Sequence, residues 1–240
     1  MNRSITWIAL VFLVGSASGA LESSLQLLRE DYDHARSSRD KEAITRSAYR
    51  FARRLESDGN RQEALRILQE NLDVSQRTPS GGVLITHLAR MYYQGGNSSR
   101  AQEILSQSIS RATGSALIPM AIELTIEKAT VQFRAGDLAG ARESFQDALT
   151  RAEMIRASMF AEDALHGLQY VSEQKGDTQE ASEYCRKRFK VSADSESKFI
   201  ADVANDCARL FEASGDSESA KAILEEARRV SAAINVPSSQ

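Results

Sequence analysis

The chain has 240 residues, with 30 lysines and arginines against 33 aspartates and glutamates, a net charge of −3 and 42% apolar residues. That apolar share is enough to build a core, and the absence of any basic block interleaved with aromatics excludes the electrostatic footprint of a nucleic-acid binder. The only cysteines, Cys185 and Cys207, are spaced too far apart for a catalytic CxxC motif.

The first predicted element is a leader. Arg3 supplies a positive charge, Ile5 to Val14 form an almost unbroken apolar run, and Gly15 to Ala20 are small. That three-part layout predicts a secretory signal peptide over residues 1–20, with cleavage after Ala20 and Ala17 as a second candidate. The apolar run is short of the roughly 20 residues that a membrane span needs; retention of the segment as an anchor is the alternative. No later apolar run escapes interruption by charges, so the mature chain is expected to carry no membrane span. In an exported chain the two cysteines permit one disulfide, Cys185 to Cys207. The other reading is two small buried side chains that never meet.

After the leader, Leu21, Leu25, Leu28, Tyr32 and Ala35 recur at helical spacing, predicting a helix within residues 21–39 that covers the open N-terminal end of a stack. The stack itself is built from a repeat. Glycine is followed at once by Asn or Asp and, five residues on, by alanine at Gly59-Asn60…Ala64, Gly96-Asn97…Ala101, Gly136-Asp137…Ala141, Gly176-Asp177…Ala181 and Gly215-Asp216…Ala220, with glycine spacings of 37, 40, 40 and 39. The glycine suits the left-handed position just past a helix end. The Asn or Asp caps the next helix through its side-chain oxygen, and Asn60…Glu63 and Asp177…Glu180 are spaced as capping boxes. Alanine also stands seven residues before four of the glycines, at Ala52, Ala89, Ala129 and Ala208. Small residues on both sides of a tight turn let two antiparallel helices approach closely. Leu68, Leu105, Phe145, Cys185 and Leu224, nine residues after each glycine, fill the space beside them.

These units resemble the tetratricopeptide (TPR) repeat family in its long, roughly 40-residue variety. The resemblance implies an all-α fold, a right-handed superhelical solenoid of stacked antiparallel hairpins. The hairpins are expected over 40–76, 80–115, 119–156, 160–194 and 198–235, with a disordered tail over 236–240. Turn formers gather at Arg77 to Gly82, Thr113 to Pro119 and Ser192 to Ser197, which read as linkers. Four residues depart from the repeat pattern: Gln169 replaces a small residue, Lys128 an aliphatic one, and Asn71 and Arg188 small residues late in their helices.

Chemistry is sparse along this chain. His34, His87 and His166 are the only histidines, and none pairs with another at metal-ligand spacing. No metalloprotease, nucleophile-elbow, phosphate-loop or calcium-loop pattern occurs. The expectation is therefore no catalytic residue, no cofactor and no metal. Asn97-Ser98-Ser99 matches a glycosylation sequon, but Asn97 is already explained as a cap.

In peptide-binding members of the resembled family, contacts come from one stripe of the first helices on the concave wall. The matching positions here lie six, nine, ten and thirteen residues before each glycine. They are Arg53, Arg50, Tyr49 and Arg46, then Arg90, His87, Thr86 and Val83. Next come Thr130, Glu127, Ile126 and Glu123, then Tyr170, Gly167, His166 and Asp163, and last Arg209, Asp206, Asn205 and Asp202. The stripe is basic in the first two sets and acidic in the last three, which would orient an oppositely polarised partner. The bland alternative is a set of ordinary solvated helix faces. The sequence thus predicts an exported, non-enzymatic scaffold that binds a peptide or partner protein on its concave face. A self-associating structural subunit is the first alternative, and an enzyme or enzyme-accessory domain the second.

Overall fold

The computed structural model describes residues 24–234; the predicted signal peptide and C-terminal tail lie outside the described residues. Among the described residues the chain is helical, without a strand. It divides into two compact units, Met1–Met91 and Tyr92–Gln240.

In the first unit, α1 runs over 24–38, followed by α2 (Lys41–Ser57), α3 (Arg61–Glu70), α4 (Leu72–Ser75) and the start of α5 (Gly81–Gln94). Asp40 caps α2 by accepting from the amides of Glu42 and Ala43. Gly59, at φ +84°, turns the chain so that α3 folds back on α2, and Ala52 and Ala64 are fully buried at the join. From α1, Tyr32 is buried with its ring 5.8 Å from that of Phe51. Asn71 is no misfit: its amide donates to Tyr32 Oη and to the Ile67 carbonyl, each at 2.7 Å, where the helix breaks between α3 and α4. Buried amides of this kind are tolerated because they are bonded. Gly81 and Gly82, expected in a linker, open α5 instead. A Cβ on Gly81 would overlap the Ser75 carbonyl, so close backbone approach requires the glycine.

The second unit contains α6 (Ser98–Gly114), α7 (Ile118–Arg134), α8 (Leu138–Met154), α9 (Ser158–Gln174), α10 (Thr178–Asp194), α11 (Ile200–Ala213) and α12 (Ser217–Ile234). Each helix packs on the next, and α7 also packs on α9. Ala129, Ala141 and Ala181 are fully buried, so the small residues do allow the close antiparallel contact their spacing implied. Asn97, Asp137, Asp177 and Asp216 each accept from the amide three residues on, at 2.9–3.0 Å.

Three local expectations need correction. Asn60 makes no side-chain cap, and neither capping box closes. Glu63 pairs with Arg66, while Glu180 reaches Arg142 on α8 and Ser172 on α9. A tertiary partner has won the carboxylate in the second case, and Arg142 beside it holds Glu180 below the usual carboxylate range. Third, about half of each linker at 113–119 and 192–197 is helix, because the stops between hairpins leave only 115–117 and 195–197 of those stretches outside a helix. Ala116, Arg156 and Glu196 take left-handed φ values of 58°, 56° and 51°. The amide after each donates to the carbonyl five residues before it, as Leu117 to Ala112, Ala157 to Ala152 and Ser197 to Ser192, all at 2.9 Å. The Asp137 amide makes the same bond to Gln132 beyond Gly136. Both kinds of turn are therefore Schellman caps, one with glycine and one without.

Cys185 on α10 and Cys207 on α11 are joined by a disulfide, with Cα atoms 5.5 Å apart. The bond lies in a core with Phe189, Val203 and Phe211.

Candidate functional site

The stripe positions fall on the first helices, and the structure sorts them by neighbourhood. In the first unit Arg46, Arg50, Arg53 and Arg90 are exposed. Tyr49 presents its ring edge-on to His87 at 5.7 Å, with the Arg53 guanidinium 5.9 Å from the Tyr49 centroid. His87 Nε2 lies 3.0 Å from Glu56. Burial lowers the His87 pKa, Glu56 opposes that, and Arg53, Arg90 and Arg61 reinforce it. Tyr49, Arg53, His87 and Arg90 thus form one neighbourhood, whereas Arg50 turns to Asp31 at 3.9 Å. Thr86 is buried and Val83 exposed.

In the second unit the stripe opens into a cleft of about 300 Å³ between α7 and α9. Ile126, Thr130, Phe133 and Arg134 come from α7, Asp163, His166, Gly167 and Tyr170 from α9, and the ring of Phe145 from α8. Gly167 explains why the cleft is there. Every other first helix carries a side chain nine residues before its glycine, namely Arg50, His87, Glu127 and Asp206. On α9 that place carries no side chain, and the Phe145 ring from α8 packs against the Gly167 backbone so closely that a Cβ would overlap it. Glycine costs a helix interior about 1 kcal/mol relative to alanine, so the seat for the Phe145 ring is kept against local preference.

The walls differ in polarity. His166 stacks 4.4 Å from Tyr170, and Tyr170 is 43% exposed. The His166 pKa is lowered to about 4 by burial first and then by the Arg188 cation, against opposing pulls from Asp206 and Glu173. The ring is therefore neutral at physiological pH. Its Nε2 is buried without a hydrogen-bond partner among the described residues. Asp163 lines the cleft, and among the described residues no hydrogen bond or ion pair engages its carboxylate. Partial burial raises its pKa, the like charge of Glu162 adds to that, and Arg188 offsets part of it.

The remaining acidic stripe residues lie elsewhere. Glu127 is buried and Glu123 half-buried, and neither lines the cleft. Asp202 and Asn205 are exposed on α11. Asp206 pairs with Arg188 at 3.2 Å, and Arg209 with Glu173 at 3.5 Å. The acidic character expected of the last three sets therefore narrows, within the cleft, to the single carboxylate of Asp163. Phe145, Arg134 and Arg188 belong to this neighbourhood although they were absent from the stripe. Phe145 had a signature position that read as packing alone, and Arg188 had stood out only as a departure.

A larger cavity of about 470 Å³ lies over Phe189, Phe211 and Ile223 among α10, α11 and α12. Its rim residue Arg186 is already engaged by Asp216 at 3.1 Å and by the Phe211 ring at 4.5 Å. Among the described residues no group of three or more His, Cys, Asp or Glu is placed to hold a metal ion, and no helix is long and apolar enough to cross a membrane.

No family model and no curated protein matches the chain in sequence. Solved structures do match. BtubC (BKLC) from P. vanneervenii superposes with a TM-score of 0.70 at 17% identity, over 90% of this chain and 92% of that one. The kinesin light chain TPR-like repeats of Podosopora anserina give 0.58 at 23% identity, over 79% and 96%. The fold is a TPR-like helical repeat. MamA, with a TM-score of 0.51 at 18% identity over 76% and 95% of the two chains, is similar in the same way. At these identities the likeness concerns the TPR-like fold alone.

Proposed function

We propose that this TPR-like chain is a non-enzymatic interaction scaffold, exported to the periplasm or the extracellular space, which holds a peptide or a segment of a partner protein on its first-helix face. The observation that carries the reading is the cleft between α7 and α9. Six of its nine lining residues, Ile126, Thr130, Asp163, His166, Gly167 and Tyr170, occupy stripe positions picked from the repeat register. A cleft with an apolar floor and a few polar groups is the usual form of a recognition site. In this reading residues 1–20 are the signal peptide and the helix over 24–38 caps the stack. The Cys185–Cys207 disulfide supports export, because such bonds persist in oxidising compartments.

A photo-crosslinking amino acid at Tyr170, compared with one at the remote Glu226 in the native compartment, tests the reading. A protein adduct that forms from position 170 and not from 226 is expected; identical adducts from both positions would remove the cleft from the account. Sequencing of the mature N-terminus tests export, and an intact Met1 on a cytosolic protein contradicts it.

Self-association is the second reading, favoured by Met154 and Met159, which are 78% and 70% exposed around the turn between α8 and α9. Mass that rises with protein concentration, and ceases to rise in a Met154→Lys, Met159→Lys variant, would support it over the cleft.

A further inference from the structure

Within the scaffold reading, on which this step rests, the cleft has a chemical preference. We infer that it takes a partner segment in which a large apolar side chain stands next to a lysine or arginine. The apolar group would lie on Phe145 and Phe133 beside Gly167, and the cation would pair with Asp163.

Size comes first. At about 300 Å³ the cleft is at the bottom of the range for ligand pockets, which suits one or two side chains of a bound chain rather than a cofactor. Its floor is aromatic, and Tyr170 stands at the mouth with 43% of its surface exposed. An apolar side chain entering here removes the exposed faces of Tyr170 and itself from water.

The charged groups of the cleft are not equivalent. Arg134 lies in the last turn of α7, where the helix carbonyl ends already favour a cation. Asp163 has the opposite situation: Glu162 is its chain neighbour, and the cation behind it, Arg188, is committed to Asp206 and Glu162. His166 beside it contributes no positive charge at physiological pH. No ion pair engages either charge among the described residues. The helix end already favours the Arg134 cation, whereas Glu162 beside Asp163 disfavours its charge, so the carboxylate is the one that gains more from a partner's opposite charge. A partner's cation also gains from the face of Tyr170, since a guanidinium or ammonium is attracted to an aromatic ring. An acidic group placed at Asp163 meets a like charge and is repelled.

The test is selection of a random peptide library displayed on phage against the full mature chain with its disulfide intact. Synthetic versions of the enriched peptides are then titrated against the wild type and three exposed-position variants, Asp163→Asn, Tyr170→Ala and the off-site Arg186→Ala. The expected result is enrichment of peptides with a large apolar residue adjacent to Lys or Arg. Their binding should weaken at least tenfold in Asp163→Asn and in Tyr170→Ala, stay unchanged in Arg186→Ala, and weaken with added salt. Peptides that are acidic or uncharged, and are weakened by Tyr170→Ala but not by Asp163→Asn, overturn the inferred chemistry while leaving the cleft as a binding site. No enrichment, or peptides bound equally by all variants, overturns the cleft and the inference together.

Discussion

Helix α9 faces two sides of its unit in opposite ways. Toward α7 it is open: Gly167 presents no side chain and seats the Phe145 ring instead, Asp163 stands without a hydrogen bond or ion pair among the described residues, and Tyr170 is half out of the protein. Toward α10 and α11 most of the polar groups are tied, although Gln169 Oε1 and Arg188 Nε are buried without a hydrogen-bond partner among the described residues. Arg188, with only 9% of its side chain exposed, reaches Glu162 on α9 and Asp206 on α11, the disulfide bonds α10 to α11, and buried Gln169 donates to Glu173, which also holds Arg209. The open side can exist because the back is fixed. A recognition surface needs side chains whose positions are set by a supporting layer, and here that layer is the seam behind α9.

If the seam is the support, cutting it should have the largest effect. The bridge closes a sequence separation of 22 residues, for which loop entropy alone gives about 3 kcal/mol. The Cys185→Ala, Cys207→Ala double variant should lose about that much in urea unfolding. A loss under about 0.5 kcal/mol would show that the seam is held by packing instead, and the contrast between the two sides of α9 would lose its main cause.

Arg188→Ala should come next, at about 2 kcal/mol, because it leaves Glu162 and Asp206 facing each other without their shared cation. The figure stays below that of a fully buried pair since Asp206 is 41% exposed. Arg188→Met, which keeps most of the volume, should lose less. Equal losses in the two variants would assign the effect of Arg188 to charge rather than shape.

His166 joins the two sides, lying in the cleft but feeling Arg188, and its titration sharpens the comparison. Its folded pKa of about 4 is below the unfolded value of about 6.5, so the unfolded chain binds the proton more readily. The stability this group contributes is complete above about pH 6.5 and is lost as pH falls toward 4, by roughly 2 kcal/mol for a ring that is only partly buried. Unfolding between pH 7 and 4 should show that slope, and His166→Gln should flatten it. In Arg188→Met the imidazole resonances should titrate at higher pH, though still below 6.5, because burial outweighs the cation among the causes. An unmoved titration would cut the link between the cleft and the seam.

Much of this architecture was legible because it repeats. Gly59, Gly96, Gly136, Gly176 and Gly215 all take the left-handed φ that their position required, and all nine alanines at the signature spacings around them are buried. The other set of turns was not legible for a physical reason. Ala116, Arg156 and Glu196 adopt the same left-handed backbone at a cost of about 1 kcal/mol each, and nothing in an alanine, an arginine or a glutamate announces it. Their exact 40-residue register was the available signal. The cleft was half legible. Gly167 stood in the stripe, but the floor beside it is the Phe145 ring from another helix, a juxtaposition that no spacing within α9 encodes. Arg188 looked like a flaw in the repeat until its partners on two other helices were in view.

The smallest effect belongs to the open side, where two opposing terms nearly cancel. Gly167→Ala gains about 1 kcal/mol of helix propensity, yet its new methyl would overlap the Phe145 ring, and overpacking costs about 1–3 kcal/mol. The expected net is a loss of about 1 kcal/mol if Phe145 is held in place by Leu149, Ala148 and their neighbours in the α8–α9 core. If the ring can instead swing into the cleft, the clash disappears and the variant becomes as stable as the wild type or more so. In that case the cleft is filled by the protein's own side chain. Urea unfolding distinguishes the two outcomes, and only the loss is compatible with a Phe145 ring held against Gly167 as the floor of the cleft.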